Sequence, residues 1–107
     1  MAKERNEYFD VSYGIVTVGL TSTGVVIVAT TGANYHGISF IASAATITAK
    51  VYDASSGTTG NMIDVIRILT TGTGWSDKYI PIICKKGITV SITGTGGAGC
   101  VFYSPKG

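Results

Sequence analysis

The side chains best suited to catalysis in this 107-residue chain are one histidine and two cysteines. His36 falls on the same strand face as Ile38 and Phe40, a pattern that favours a hydrogen-bonded structural imidazole over a catalytic base. Neither Cys84 nor Cys100 lies in a catalytic signature, and a cysteine–histidine pair would need a spatial proximity that the sequence does not show. We therefore predict no catalytic residue and no enzymatic activity.

The same three residues also fall short of a metal site. Structural zinc takes four ligands, whereas Cys84, Cys100 and the distant His36 supply three. We expect no export signal and hence two reduced thiols in or near the core. A disulfide between them is the alternative if their strands are neighbours. The sequence predicts no metal and no cofactor.

Two loops contain residue types found at ion and phosphate sites. Asp53 begins DASSGTT, which offers oxygen ligands for calcium but only one carboxylate, so an Asx turn that ends the strand is the simpler interpretation. The run from Gly94 to Gly99, GTGGAG, lacks the Gly-Lys-Ser/Thr ending of a phosphate loop and precedes a strand instead of a helix. Both segments predict turns and not binding sites.

Aromatic residues remain as candidates for contact with a partner. Tyrosine and tryptophan suit contact surfaces because one end is apolar and the other hydrogen-bonds to water. Subunit packing and sugar stacking both use such side chains, and so does an ordinary core. Tyr103, like the strand tyrosines and Trp75 in the set below, lies on or beside a strand face. The predicted interface residues are Tyr8, Phe9, Tyr35, Tyr52, Trp75 and Tyr79.

Charge is scarce in this chain. Charged residues make up 13% of it, against roughly 25% in an ordinary soluble domain. One explanation is a domain faced with threonine and serine; the other is a surface covered by sister subunits, because interface cores are depleted in charge.

The charged residues that are present argue against several partners. The net charge is +2 and the only adjacent basic pair is Lys85-Lys86, so we expect no nucleic acid as partner. No apolar run approaches the roughly 18 residues of a membrane span, and the charged N-terminus, MAKERNEYFD, lacks the apolar core of a signal peptide. We therefore expect no membrane partner.

Short strands separated by turns must position all of these residues. In the segment from Thr46 to Tyr52, alternation places Ile47, Ala49 and Val51 inside. The run VVIVA at 25–29 is typical of a strand covered on both faces, and Pro81 indicates an edge or bulged strand because proline cannot donate to a ladder. NMIDVIRIL is compatible with a helical turn, but its valine and isoleucines favour a strand. The predicted strands are 14–20, 25–29, 35–42, 46–52, 61–69, 75–84, 88–92 and 100–103.

About eight strands at this spacing leave no room for crossover helices. They predict an all-β fold, an antiparallel two-sheet β-sandwich that is jelly-roll-like. Residues 13–107 form the predicted sandwich domain and residues 1–12 an N-terminal arm. The arm is either a frayed terminus or a segment that Tyr8 and Phe9 anchor on a neighbour.

Two segments carry a resemblance to a known family: ITAKVYDASSGTTG, from Ile47 to Gly60, and the closing pair KKGITVSITGTGGAGCVFY. From about Gly14 to Tyr103 the chain resembles small β-sandwich virion proteins of tailed bacteriophages. It departs from that pattern at MIDVIRIL, which is longer and more apolar, and in its charged N-terminal arm.

The resemblance implies a capsid decoration (cement) protein that binds the outer capsid surface as an oligomer and stabilises the lattice. Its partners would be copies of itself, as a homotrimer, and the major capsid protein. Its location would be the virion, after assembly in the bacterial cytoplasm. The alternative is a carbohydrate- or receptor-binding module of a phage fibre. No functional residues carry over, because the contacts of that family are spread over the surface.

Overall fold

The computed structural model describes residues 16–20, 23–43 and 45–105, so the predicted arm with Tyr8 and Phe9 lies outside the described residues. The described part contains eight strands and no helix, as the alternating pattern predicted. The strand between 61 and 68 settles the ambiguity of NMIDVIRIL in favour of a strand. The strands are β1 (Val16–Leu20), β2 (Gly24–Ala29), β3 (Ala33–Ala42), β4 (Ile47–Asp53), β5 (Asn61–Ile68), β6 (Thr73–Cys84), β7 (Ile88–Thr93) and β8 (Gly97–Pro105).

The strands form two four-stranded antiparallel sheets. Sheet A has the order β1-β8-β3-β6, and sheet B has the order β2-β7-β4-β5. The chain crosses between the sheets at most of its turns, so neighbours within a sheet are mostly distant in sequence. This is the strand order of a jelly roll, in which the two sheets cover each other's apolar faces. The prediction of an antiparallel two-sheet sandwich is therefore confirmed.

The core lies between the two sheets. Ile47, Ala49 and Val51 of β4 are buried, as the alternation of that segment predicted. From sheet A they meet inward side chains that include Phe40 and Val101. The other buried hydrophobic side chains of sheet B are Ile88, Val90 and Ile92 of β7 and Ile68 of β5. One hydrophobic cluster thus joins the two sheets.

The prediction that the strand at 25–29 is covered on both faces is wrong. Val25 is 53% exposed and Ile27 is 49% exposed, while Val26 and Val28 pack against the core. The cause is the two-layer architecture, in which one face of sheet B packs on sheet A and the other faces solvent; β2 is in addition an edge strand, paired only with β7. A β-branched run is therefore compatible with a half-exposed edge strand as well as with a central one.

A bulge in β3 overturns the predicted grouping of His36 with Ile38 and Phe40. The pairing of β3 with both of its neighbours shifts between Tyr35 and Gly37. The shift reverses the alternation, so Tyr35, Ile38 and Phe40 point inward and His36 lies on the outer face. Gly37 adopts φ 152°, and a Cβ there would lie 2.4 Å from the Ser76 carbonyl oxygen. Only glycine fits this approach of the two strands.

The long strand β6 is both an edge strand and a bulged one, which confirms the prediction from Pro81. It pairs with β3 alone, and a single residue of β3, His36, stands opposite the four residues 78–81. Proline is tolerated at such a position because no ladder hydrogen bond is required of it. These four residues have no partner in the register of the ladder, and Tyr79 among them is 98% exposed.

The turn in the glycine-rich run after β7 is shorter than predicted. The turn occupies residues 94–96, and β8 begins at Gly97. Gly99 pairs with Phe40, and a Cβ on Gly99 would lie 2.4 Å from the Phe40 ring. The second half of GTGGAG is therefore strand, since its glycine makes room for a core aromatic ring.

Candidate interaction surface

The largest exposed apolar side chains of sheet A lie on and beside β6. Trp75 is 71% exposed, Tyr79 98%, Ile80 76% and Ile83 63%, and Ile41 on the neighbouring β3 is 55% exposed. We call these five residues the β6 strip. Trp75 and Tyr79 were predicted as interface residues, and the structure leaves both accessible.

A shallow groove adjoins one end of the β6 strip. Trp75 is the cross-strand neighbour of Ser39, and Ser39 is in turn the neighbour of Cys100. Ile41 and Ala98 line the groove next to this row, and its volume is about 330 Å³. Its walls are mostly apolar, with the hydroxyl of Ser39 3.6 Å from the Cys100 sulfur.

Sheet A carries little charge, and the charged residues that it has lie on β6 itself. Strands β1, β3 and β8 contain no Lys, Arg, Asp or Glu, and β6 contains one acidic and one basic residue, Asp77 and Lys78. In sheet B, exposed apolar side chains such as Val25 and Val65 occur together with the charged Lys50 and Arg67. The scarcity of charge noted in the composition is therefore concentrated in sheet A.

Tyr35 and Tyr52, the other predicted interface residues that the structure describes, do not join this surface. Tyr35 is fully buried, so its prediction as an exposed contact residue is wrong; the β3 bulge leaves it pointing inward. Tyr52 is partly exposed but lies on β4 of the opposite sheet. Sequence reasoning missed Ile41, Ile80 and Ile83, and the bulge that Pro81 indicated was the one available signal for the last two.

Tyr35 connects the two sheets beneath the β6 edge. Its hydroxyl donates a hydrogen bond of 2.7 Å to Asp64 Oδ2 on β5. Lys78 of β6 lies 3.7 Å from Asp64 Oδ1, and the Val65 backbone N–H donates to the same oxygen at 2.9 Å. Burial raises the pKa of the Tyr35 hydroxyl, and the Asp64 carboxylate raises it further. The phenol is therefore held neutral as a donor, and it ties β3 to β5.

Asp53 stabilises a turn instead of forming the predicted Asx turn. Its carboxylate accepts hydrogen bonds from the backbone N–H groups of Lys85, at 3.1 Å, and Lys86, at 2.9 Å. Partial burial acts to raise the pKa of Asp53, but these N–H groups, that of Gly87 and the Lys86 charge outweigh it and hold the pKa below its usual value. The Asx-turn interpretation is wrong because the partners lie on a distant turn and not within the local loop.

His36 is hydrogen-bonded, as predicted, although on the outer face. Its Nε2 lies 2.9 Å from Ser104 Oγ on β8, and Asn34 Nδ2 lies 3.5 Å from the same oxygen. A serine beside a histidine is also part of a nucleophilic triad, but no carboxylate hydrogen-bonds to this imidazole within the described ranges. The three side chains link the outer faces of β3 and β8.

The two thiols are free and lie in different environments. Cys84 is buried, while Cys100 is partly exposed on the outer face of sheet A. Their strands flank β3 on opposite sides, and the β3 residues opposite them are Ala33 and Ser39. Six residues of strand correspond to about 20 Å, far beyond the span of a disulfide. The open alternative of a bridge is thereby excluded.

Two further observations bear on the kind of site. Within the residues that the structure describes, no three His, Cys, Asp or Glu side chains are grouped closely enough to hold a metal ion. The described part also contains no helix that could span a membrane. Comparisons of the chain with protein-family models, with curated proteins and with solved structures found no match.

Proposed function

We propose that this protein is a structural component of a tailed bacteriophage particle, a decoration protein that binds the outer capsid surface as an oligomer and stabilises the lattice. The observation that carries the proposal is the β6 strip on a nearly uncharged sheet. Large exposed apolar patches on a soluble domain mark contact surfaces, because leaving them in water is unfavourable.

The fold supports the same proposal. The chain adopts a jelly roll, an architecture that recurs in viral capsid and lectin domains. Because one fold serves many functions, the architecture limits the choice of role without deciding it. The sequence resemblance to phage virion proteins selects the capsid role from these.

The mechanism we propose is multivalent binding. Each subunit makes a modest contact with the major capsid protein, and oligomerisation, as a homotrimer, lets several contacts form at once. Linked contacts raise the overall affinity by about 10²- to 10⁴-fold over a single one. A capsid held at several lattice points resists expansion and loss of subunits.

The test uses capsids of the parent phage that lack the protein. We expect the purified chain to cosediment with these capsids at a fixed ratio to the major capsid protein and to raise their melting temperature. Mass spectrometry of intact virions should detect the chain at the same ratio. Absence from virions together with failure to cosediment would contradict the proposal.

A second candidate is a carbohydrate-binding module of a phage fibre, and the observation in its favour is Trp75. This exposed ring stands beside a groove that also presents the hydroxyls of Ser39 and Thr73. Aromatic faces stack on the apolar faces of sugars, and hydroxyls orient the ligand. A glycan array, followed by titration of Trp75 fluorescence at constant protein concentration, decides this candidate; no array signal and unchanged emission would reject it.

A further inference from the structure

We infer that the β6 strip is the surface through which copies of this chain meet, so that the strip of one subunit packs against the same strip of its neighbours around a rotation axis. The inference rests on the proposed role as an assembling protein and names the self-association surface. Three features of the described residues carry it: area, charge and the shape of the sheet edge.

The exposed area fits a protein partner of this size. Two aromatic and three isoleucine side chains make up the strip, and each is more than half exposed. A fully exposed aromatic side chain presents about 150–250 Å². With the three isoleucines added, and with the exposed fractions taken into account, the strip presents on the order of 600 Å² of mostly apolar surface. Stable interfaces bury about 800 Å² per partner, and neighbouring backbone and polar atoms supply the rest.

The charges fit a second copy of the same chain. The only acidic and basic residues on the four strands of sheet A are Asp77 and Lys78, adjacent on β6. Lys78 is already paired with Asp64. Within the described residues this leaves Asp77 as the one charge of these strands without an ion-pair partner, so a second copy presents a nearly uncharged face, whereas a strongly charged partner would find no complement here. The interface core would be apolar, as in homo-oligomers.

The shape of the edge prevents open-ended pairing of strands between copies. An unprotected edge strand pairs with further strands without limit, which leads to fibres. In β6, the bulge at 78–81 and Pro81 interrupt the ladder, so the edge cannot extend as a continuous sheet. The same bulge contains Tyr79 and Ile80, the two most exposed side chains of the strip. An assembly that packs through these side chains around a rotation axis is therefore not extended by strand pairing at this edge.

The test compares the double variant Tyr79→Ser/Ile80→Ser with wild type by sedimentation and light scattering of the purified full chain. The matched control is Val25→Ser/Ile27→Ser, which removes two half-exposed side chains from the edge strand of the other sheet. We expect a wild-type oligomer, at least about a tenfold weaker association in the β6 variant, and wild-type association in the control. Circular dichroism confirms that all three proteins are folded.

Tryptophan fluorescence gives an independent readout. The chain contains one tryptophan, and Trp75 belongs to the strip, so its emission reports on this surface alone. We expect emission at shorter wavelength in concentrated wild type and a red shift on dilution, with the β6 variant red-shifted throughout. The control variant should follow the wild-type curve.

The possible outcomes separate this inference from the proposed function. Monomeric wild type with concentration-independent emission, or an oligomer that only the β2 control disrupts, overturns the inference. An oligomer that the β6 variant disrupts, but that does not bind capsids, supports the inference and counts against the decoration role. Capsid binding by a strictly monomeric protein supports the capsid location, but it contradicts the multivalent mechanism and overturns the inference.

Discussion

Individual polar side chains stabilise this fold at points where one element meets another distant in sequence. Asp53 accepts hydrogen bonds from a turn more than 30 residues away, and Tyr35 crosses from sheet A to an aspartate of sheet B. Both involve a charged acceptor, and such hydrogen bonds are stronger than neutral ones. Their loss should therefore be measurable as a loss of global stability.

Asp53→Asn should destabilise the protein by about 1–2 kcal/mol at neutral pH, because an amide oxygen replaces a carboxylate that two backbone N–H groups contact. The pKa of Asp53 is lowered in the folded state, so its contribution is complete above the ordinary carboxyl pKa of about 4 and is lost as the pH falls below it. Urea unfolding at several pH values measures this. The difference from wild type should narrow in acid, and the exposed Asp77→Asn should change little.

Tyr35→Phe should cost about 1–2 kcal/mol, since it leaves Asp64 without its tyrosine donor. The pKa of Tyr35 is raised in the folded state. Its contribution is therefore complete below the unfolded phenol pKa of about 10 and is lost as the pH rises above it. Urea unfolding should show wild type approaching the variant in strong alkali. Tyr103→Phe is the control, because its hydroxyl has no hydrogen-bond partner in the part of the chain that is described.

At the scale of elements, the bulges decide which side chains reach the core and which reach the surface. The bulge at Gly37 reverses the alternation of β3, and the bulge at 78–81 interrupts β6 directly opposite it. The two irregularities belong to one pairing. They place Tyr35 inside, His36 outside and Tyr79 in solvent.

Gly37→Ala should destabilise the protein by more than about 2 kcal/mol, because the new methyl group would meet the Ser76 carbonyl oxygen and φ 152° disfavours a side chain. Chemical unfolding gives the free energy. Gly19→Ala is the matched control in β1 of the same sheet, since a Cβ there has nothing within 4 Å. A small effect at Gly37, or an equal effect at both positions, would contradict the argued role of the bulge.

The described part of the molecule is a two-layer sandwich. One thiol, Cys84, is buried, and the other, Cys100, lies partly exposed on the outer face of sheet A. Burial raises the pKa of the Cys84 thiol to about 11, and the Asp53 charge contributes. A thiol that is buried and protonated is a poor nucleophile, so it reacts only when the layers separate. Its labelling rate therefore reports on opening of the core.

Thiol labelling of the dilute native protein should show one accessible group, Cys100, and one protected group, Cys84. Cys100→Ser should abolish the accessible fraction, and denaturant should expose the other. Because the two thiols are too far apart to bridge, a reducing agent should leave the unfolding midpoint unchanged. A midpoint that falls under reduction would show that the cysteines pair.

The strands and the class of fold were predictable from the sequence because alternation and turn residues act over a few positions. The faces of β4 and the irregular edge at Pro81 followed from the same local rules. Strand order and the edge position of β2 depend on pairings between distant segments, which no local pattern contains. A single bulge at Gly37 was enough to misplace Tyr35 and His36. One added residue puts the alternation before the bulge out of phase with the alternation after it, so the faces of these two residues could not be inferred from Ile38 and Phe40.

The pairing of β1 with β8 has a consequence for engineering. Val16, where β1 begins, stands opposite Tyr103 near the end of β8, so the described strand pair brings the two ends of the sandwich together. A short linker can join such ends, and the exposed loop at 55–59 offers a place to open the chain instead. The fold is thus suited to circular permutation. Because β1 and β6 are opposite edges of sheet A, a linker that joins β1 to β8 would leave the β6 strip free.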